Sequence, residues 1–308
     1  MKSRRAKQIL IIVCIIAVFG AGVFAFVGLS IKNVPAIVAP VEPKIVKLVE
    51  RKVIGTSVEG REIVAYMYGN GATHVSFIGG IHGGYEWNSV ILAYQFMDYL
   101  EANPDIIPKN LTVSVIPSAN PDGVYRVVKK EGRFTAEDVP NDQKLAESGR
   151  FNARGVDLNR NFDCKWKPKS TWKSRVVSGG SKVFSEPEAV AIRDFVQEYA
   201  PDSVVFWHSK ANAVYASKCE DGILPKTLDL MNVYAKASGY TAIKSFDAYE
   251  TSGDSEGWLA SINIPAITVE LQTHEDVEWE RNLAGIKALF HYYDRSPTLF
   301  KPLNIIDS

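Results

Sequence analysis

The 308 residues carry 35 Lys and Arg against 35 Asp and Glu, so no net charge draws the chain to nucleic acid. The length suits one large domain, or two small ones, with a full core. Composition is otherwise that of an ordinary globular protein, with no low-complexity tract and no internal repeat.

The N-terminus stands apart. Residues 1–8 hold Lys2, Arg4, Arg5 and Lys7, and residues 9–29 contain no charge at all. About 20 apolar residues are what a helix needs to cross a bilayer. The basic cluster predicts a cytoplasmic N-terminus with the rest of the chain translocated, a transmembrane signal-anchor over 9–29. The rival reading is a cleaved signal peptide, since small residues occur at Gly20, Ala21, Gly22 and Ala25. Its apolar region normally spans only about 7 to 15 residues. Residues 30–45, with Pro35, Pro40 and Pro43, read as an extended linker. Cys14 lies in the expected span, which leaves Cys164 and Cys219 as the exported pair. A disulfide and two buried free thiols are both open readings for them.

Over residues 46–295 strand-like and helix-like runs alternate. Segments 74–78, 111–116, 203–207 and 266–270 are short apolar runs rich in β-branched residues, as buried strands are. Segments 88–100, 185–199, 224–238 and 279–293 read as helices. The third of these ends at Gly239, a C-cap. The pattern Ser185-Glu186-Pro187-Glu188 predicts a capping box with proline in the first turn. The alternation argues an α/β domain with helices on both faces of a parallel or mixed sheet. No composition break divides it, so it is one domain, followed by a tail at 296–308.

Polar residues collect at the ends of the expected strands. His82 and Glu86 follow the first, Asn120-Pro121-Asp122-Gly123 the second, His208 ends the third and Glu270 the fourth. Open α/β sheets bind ligands beyond the carboxyl ends of their strands. One such histidine is usually structural; four ends offering His, Glu, His and Glu point to a metal. Two imidazoles and a carboxylate leave one coordination position for water, as catalytic zinc requires. Glu270, on an apolar strand where a carboxylate is costly unless used, suits a general base. Among the other histidines, His74 and His291 sit on a strand and a helix, and His274 is the one substitute ligand.

These residues carry a resemblance. GTSVEGR at 55–61, HGGYE at 82–86, NPDG at 120–123, GVDLNRNF at 155–162, FSEPE at 184–188, His208-Ser209 and Glu270 occur in one order. Together they resemble the zinc carboxypeptidases of peptidase family M14 across nearly all of residues 46–293, on the bacterial side near the peptidoglycan-trimming branch. The resemblance implies a mixed eight-stranded sheet and one zinc per chain on His82, Glu86 and His208. It implies Glu270 as the base and Asp157 as the carboxylate orienting the first histidine. Asn159 and Arg160 match the pair gripping a terminal carboxylate. Arg150 matches the oxyanion-stabilising arginine, with Arg154 as competitor. Reading Tyr249, Ser252, Gly253, Ser255 and Trp258 as one motif makes Tyr249 the substrate-capping tyrosine. The sequence departs from the family at one place: three residues, not two, separate His82 from Glu86, and Gly83 and Gly84 are expected to absorb the extra one.

The implied activity is hydrolysis of the C-terminal peptide bond of a peptide with a free carboxylate, by a monomer held outside the cytoplasm. The alternatives are trimming of peptidoglycan stem peptides at diaminopimelate, deacylation of N-acyl amino acids, and a non-catalytic surface binding module. The alignment that places Tyr249 also puts Glu256, with Asp254 near it, at the floor of the pocket for the terminal side chain. A partly desolvated carboxylate there predicts preference for a basic terminal group.

Overall fold

The computed structural model describes residues 50–295. In chain order the elements begin β1 (Glu50–Thr56), β2 (Glu62–Gly69), β3 (Thr73–Ile78), α1 (Trp87–Ala102), β4 (Leu111–Ile116), α2 (Pro121–Val128) and α3 (Gln143–Ser148). They continue through β5 (Lys169–Trp172), β6 (Arg175–Ser178), α4 (Pro187–Tyr199), β7 (Ser203–Ser209) and β8 (Ala213–Ala216). The last are α5 (Pro225–Ser238), β9 (Thr241–Ile243), α6 (Ser255–Ser261), β10 (Ala266–Leu271) and α7 (Trp279–Arg295).

Strands β3 and β7 are buried along their whole length, as strands covered on both faces must be. They lie at the centre of an eight-stranded sheet of order β1-β2-β4-β3-β7-β10-β8-β9. The four middle strands β4, β3, β7 and β10 are mutually parallel, while β2 pairs β4 and β8 pairs β10 in the antiparallel sense. The expected mixed α/β sheet is therefore present. A small hairpin of β5 and β6 stands outside it.

The period of two along each strand divides the core. Val75, Phe77, Val205, Trp207, Ile267 and Val269 join Phe96, Tyr234 and Phe290 of α1, α5 and α7 on one face. Ile78, Val204, Phe206 and Ala266 join Ile192, Phe195 and Leu259 of α4 and α6 on the other. His208, Thr268 and Glu270 alternate with the first set, so they belong to the α4–α6 face. That parity is what turns three strand-borne polar residues toward one cavity.

Gly239 does cap α5 in the left-handed region, at φ 73°. The capping box at Ser185 is not formed. Glu186 occupies the N-cap of α4 without a side-chain cap bond, although Pro187 takes the first turn. Glu188 is buried and accepts from the Val58 N–H at 3.0 Å and Asn152 Nδ2 at 3.1 Å. Asn152 Nδ2 donates to Glu186 Oε2 as well, at 2.8 Å, and the Ser185 N–H bonds to the Lys182 carbonyl at 3.2 Å, so the groups a capping box would pair are already taken by others.

The expected span at 9–29, its flanks at 1–8 and 30–45, and the tail at 296–308 lie outside the described residues. Among the described residues no helix is long and apolar enough to cross a membrane.

Cys164 and Cys219 are joined in a disulfide, 55 residues apart in sequence with Cα atoms 6.0 Å apart. Closing a loop of that length restricts the unfolded chain and stabilises the fold by about 2–4 kcal/mol. Reduction, or Cys219→Ser, is expected to lower the thermal midpoint by several degrees; identical melting curves with and without reductant would count against the bond.

Candidate metal centre and active site

Strand β3 continues into α1 and then β4 on one side, whereas β7 pairs with its other edge. The crevice at the carboxyl ends of β3 and β7 is thus the point where strand order reverses, the place where open α/β sheets leave a pocket. His82 lies just beyond β3, and His208 is the penultimate residue of β7.

Ligand atoms of His82, Glu86 and His208 lie within 4.8 Å of one another, and all three residues are buried. The extra residue between His82 and Glu86 is absorbed as expected. Residues Gly83–Glu86 form one turn of 3-10 helix, closed by the Tyr85 N–H on the His82 carbonyl at 3.1 Å. Gly83 has φ +47°, and a Cβ there would stand 2.5 Å from the Gly149 carbonyl and 2.8 Å from the Gly123 Cα. A Cβ on Gly123 would meet the same Gly149 carbonyl at 2.3 Å. Gly83 and Gly123, from two motifs, therefore interlock backbone to backbone with Gly149, and that packing delivers Arg150, the residue after Gly149, beside Glu86.

The donor set fits a divalent cation. Glu86 Oε2 is 3.1 Å from His208 Nδ1 and accepts from the Ser209 N–H at 3.2 Å. His208 Nε2 lies 3.0 Å from Glu256 Oε1. Burial opposes protonation of His208, yet these two carboxylates overcome it and push the ring well above its ordinary value. His82, also buried and facing Arg150, is pushed well below. A neutral imidazole beside an imidazole clasped by two carboxylates is a cluster short of positive charge. In addition, His82 Nδ1 and Asp157 Oδ1, 3.5 Å apart, are both buried without a hydrogen-bond partner.

Glu270 stands opposite His208 in the β10–β7 register, and its shielded Oε2 has no partner. Loss of water, and then the charge of Glu86, raise its carboxyl far above the ordinary carboxylate range. Both His82 and Glu270 line a cavity of about 450 Å³ that also meets Arg150, Asn159, Arg160 and Tyr249.

Each remaining residue has a definite setting. Arg150 is buried, donates from Nε to Asp157 Oδ2 at 2.9 Å and stands 3.8 Å from Glu86 Oε1. Arg154 instead has a largely exposed side chain near Glu186 and does not line the cavity. Asn159 accepts from the Ser255 N–H at 2.8 Å. Arg160 spends three of its five N–H donors on the carbonyls of Thr171 and Asn159, which leaves two for a ligand. Tyr249 packs against Phe246 at 4.8 Å, and burial raises its phenol so that it stays protonated. His274 is not in the metal group; its Nδ1 faces Ser209 Oγ at 2.7 Å.

The zinc carboxypeptidase family, peptidase M14, matches residues 38–281. The chain belongs to this family. Among curated relatives, gamma-D-glutamyl-L-diamino acid endopeptidase 1 of Lysinibacillus sphaericus is 26% identical over 240 residues, 71% of this chain and 59% of its own. Murein peptide amidase A of Escherichia coli K12 is 34% identical over 131 residues, 39% of this chain and 50% of its own. The matches thus span only half to three-fifths of these relatives. The solved murein-tripeptide amidase MpaA from Escherichia coli O157 shares the fold, with TM-score 0.58 and 22% identity over 80% of this chain and 92% of that one. Thrombin activatable fibrinolysis inhibitor does so at TM-score 0.62 and 18% identity, over 80% and 70%.

In this member of the family Glu256 lines the cavity, as the sequence suggests, but its partners were not legible there. Besides His208, its Oε1 takes the Thr268 hydroxyl at 3.1 Å and its Oε2 the Ser255 hydroxyl at 2.9 Å. Nothing in the spacing could reveal this, because it depends on α6 crossing the polar face of β7 and β10. Tyr85 and Trp172, whose rings meet at 5.1 Å on the cavity wall, were also missed. The first lay inside the HGGYE motif; the second sits on a hairpin too short to announce itself.

Outer carboxylates that hold a ligating imidazole typically change metal affinity about 10- to 100-fold. Glu256→Ala should therefore weaken zinc binding by that factor, measured by competition with a chelator. Glu256→Gln keeps an acceptor for Nε2–H and should retain most of the affinity. Equal affinity in wild type and the alanine variant would show that Glu256 does not orient His208.

Proposed function

We propose that the chain is a zinc-dependent exopeptidase that releases the C-terminal residue of a peptide, with preference for a terminal side chain bearing an amine. The observation that carries the reading is the convergence of His82, Glu86 and His208 in one cavity with the unpartnered Glu270 carboxylate. Zinc held by the three side chains would supply a Lewis acid that acidifies a water.

Glu270 is the group placed to take that water's proton and to return it to the leaving amine. A nearby dication would draw its raised pKa back down and leave it ionised. Arg150, fixed by Asp157 and Glu86, offers its guanidinium to the oxyanion that develops on the scissile carbonyl. Asn159 and the two remaining donors of Arg160 suit a free terminal carboxylate, and Tyr249 covers the bound residue. Asp254 and Glu256 line the same cavity, so an amine would find negative charge there that an apolar side chain could not use.

A second substrate reading uses the same chemistry. The two curated relatives are named for peptides with a diamino acid and for murein peptides, and diaminopimelate supplies both an amine and a carboxylate. Placement outside the cytoplasm by residues 9–29 also belongs to this proposal, and the Cys164–Cys219 disulfide suits an oxidising compartment.

The test is turnover of matched peptides ending in lysine, diaminopimelate, phenylalanine and glutamate, beside an N-acyl amino acid, with and without chelator. Chelator-sensitive release, fastest for the amine-bearing ends, is expected. Glu270→Gln should retain zinc and lose most activity, on the order of 10²-fold or more. Faster release of phenylalanine would sink the acidic floor, and full activity in Glu270→Gln would give the base role to another group.

A further inference from the structure

The charges around the cavity are layered. The carboxylates that line it are buried or half-buried: Glu86, Asp254, Glu256 and Glu270. The lysines that line it are all exposed: Lys165, Lys173, Lys210 and Lys218. They come from four separate segments, after Cys164, at the β5–β6 turn, after β7 and after β8. A chain with no net charge has thus concentrated cations at one mouth.

Pairing sharpens the contrast. Among the described residues none of these four lysines lies within ion-pair distance of a carboxylate. Their close neighbours that do not line the cavity are neutralised: Lys167 Nζ is 2.5 Å from Glu250, and Arg175 Nη1 is 2.7 Å from Glu147. Lys173 is also held in place, donating to the Tyr85 hydroxyl at 3.1 Å and standing 5.1 Å from the Trp172 ring. A cation over a cavity-wall aromatic is positioned for what enters the cavity.

We infer that Lys165, Lys173, Lys210 and Lys218 form a carboxylate-binding collar, and that the substrate is an acidic peptide with carboxylates beyond the one at its end. This rests on the peptidase reading of the same cavity and adds the chemistry of the rest of the substrate. The opening selects a peptide over an extended polyanion. The lysines form the exposed part of a cavity lining whose carboxylates are buried or half-buried, whereas a nucleic acid or anionic lipid surface requires an open basic face.

The test compares two peptides with the same C-terminal lysine, one with glutamates and one with alanines upstream. In the zinc-loaded full chain at low salt, kcat/KM for the acidic peptide should be about 10-fold higher, mainly through KM, and the advantage should shrink toward 0.5 M salt. The ratio should fall toward one in Lys173→Ala/Lys210→Ala and invert in Lys173→Glu/Lys210→Glu. Binding of the fluorescent acidic peptide to the zinc-loaded Glu270→Gln protein provides a readout independent of turnover. Equal kcat/KM for both peptides in wild type would overturn the collar while leaving the peptidase intact. Lysine-dependent binding with no turnover of either peptide by the wild type would support the collar and overturn the peptidase reading. Lysine-dependent capture of phosphatidylglycerol vesicles, with no preference between the peptides, would overturn it in favour of a lipid surface.

Discussion

The buried carboxylate of Glu86 constrains everything around it. Removed from water, it must be surrounded by positive charge or hydrogen-bond donors, since an unpaired buried ion costs several kcal/mol. It obtains the His208 ring, the Ser209 N–H and the nearby Arg150 guanidinium. Each of those requires its own support. Arg150 is fixed by Asp157, His208 by Glu256, and Glu256 by Ser255 and Thr268. The result is a chain of buried charges in which every member but Glu270, Asp157 and His82 has its partners, and those three keep an unsatisfied atom at the site.

The motifs outside the cavity serve this network from a distance. Asp122 of NPDG gathers the Ser57 hydroxyl at 2.6 Å, the Glu59 N–H at 3.0 Å and Arg61 at 2.7 Å, all from the GTSVEGR turn. Asn152 donates to both Glu186 and Glu188 of FSEPE. Asn161 caps the approach to α4 by accepting the Glu186 N–H. These buried polar bonds stitch loops that carry no regular structure into a rigid wall, and that rigidity lets Arg150, Asn159 and Arg160 face one cavity. Their chemistry is structural although the same stretch of sequence carries the functional residues.

Glu256 couples two settings: it lines the cavity and holds the ring of His208, one of the three side chains grouped as a metal would need them. A change at this position therefore reaches that group as well. The layered charges add a second constraint: buried or half-buried carboxylates and exposed lysines line one cavity, a distribution complementary to a ligand that carries both signs of charge.

Much of this was legible in the sequence because it is local. The four central strands are marked by β-branched runs, the helices by their spacing, and the grouped side chains of the site by strand ends that offer a histidine or a carboxylate. Gly83 and Gly84 show that a three-residue spacer could be absorbed: Gly83 takes a positive φ against the Gly149 carbonyl, and Gly84 leaves no room for a Cβ beside Val127 and the Gly123 carbonyl. The capping pattern at Ser185 misled because a buried glutamate answers to long-range donors before its own helix. What only the tertiary structure decided is which residues meet across the chain: Arg150 and not Arg154 in the cavity, Ser209 and not the metal as the neighbour of His274, Glu256 against His208, and four scattered lysines around one opening. Such contacts join distant positions, 65 residues apart for Ser209 and His274 and 123 for Ser209 and Glu86, and no period or spacing in the sequence encodes them. They follow from the order of strands in the sheet and the parity with which side chains alternate across it.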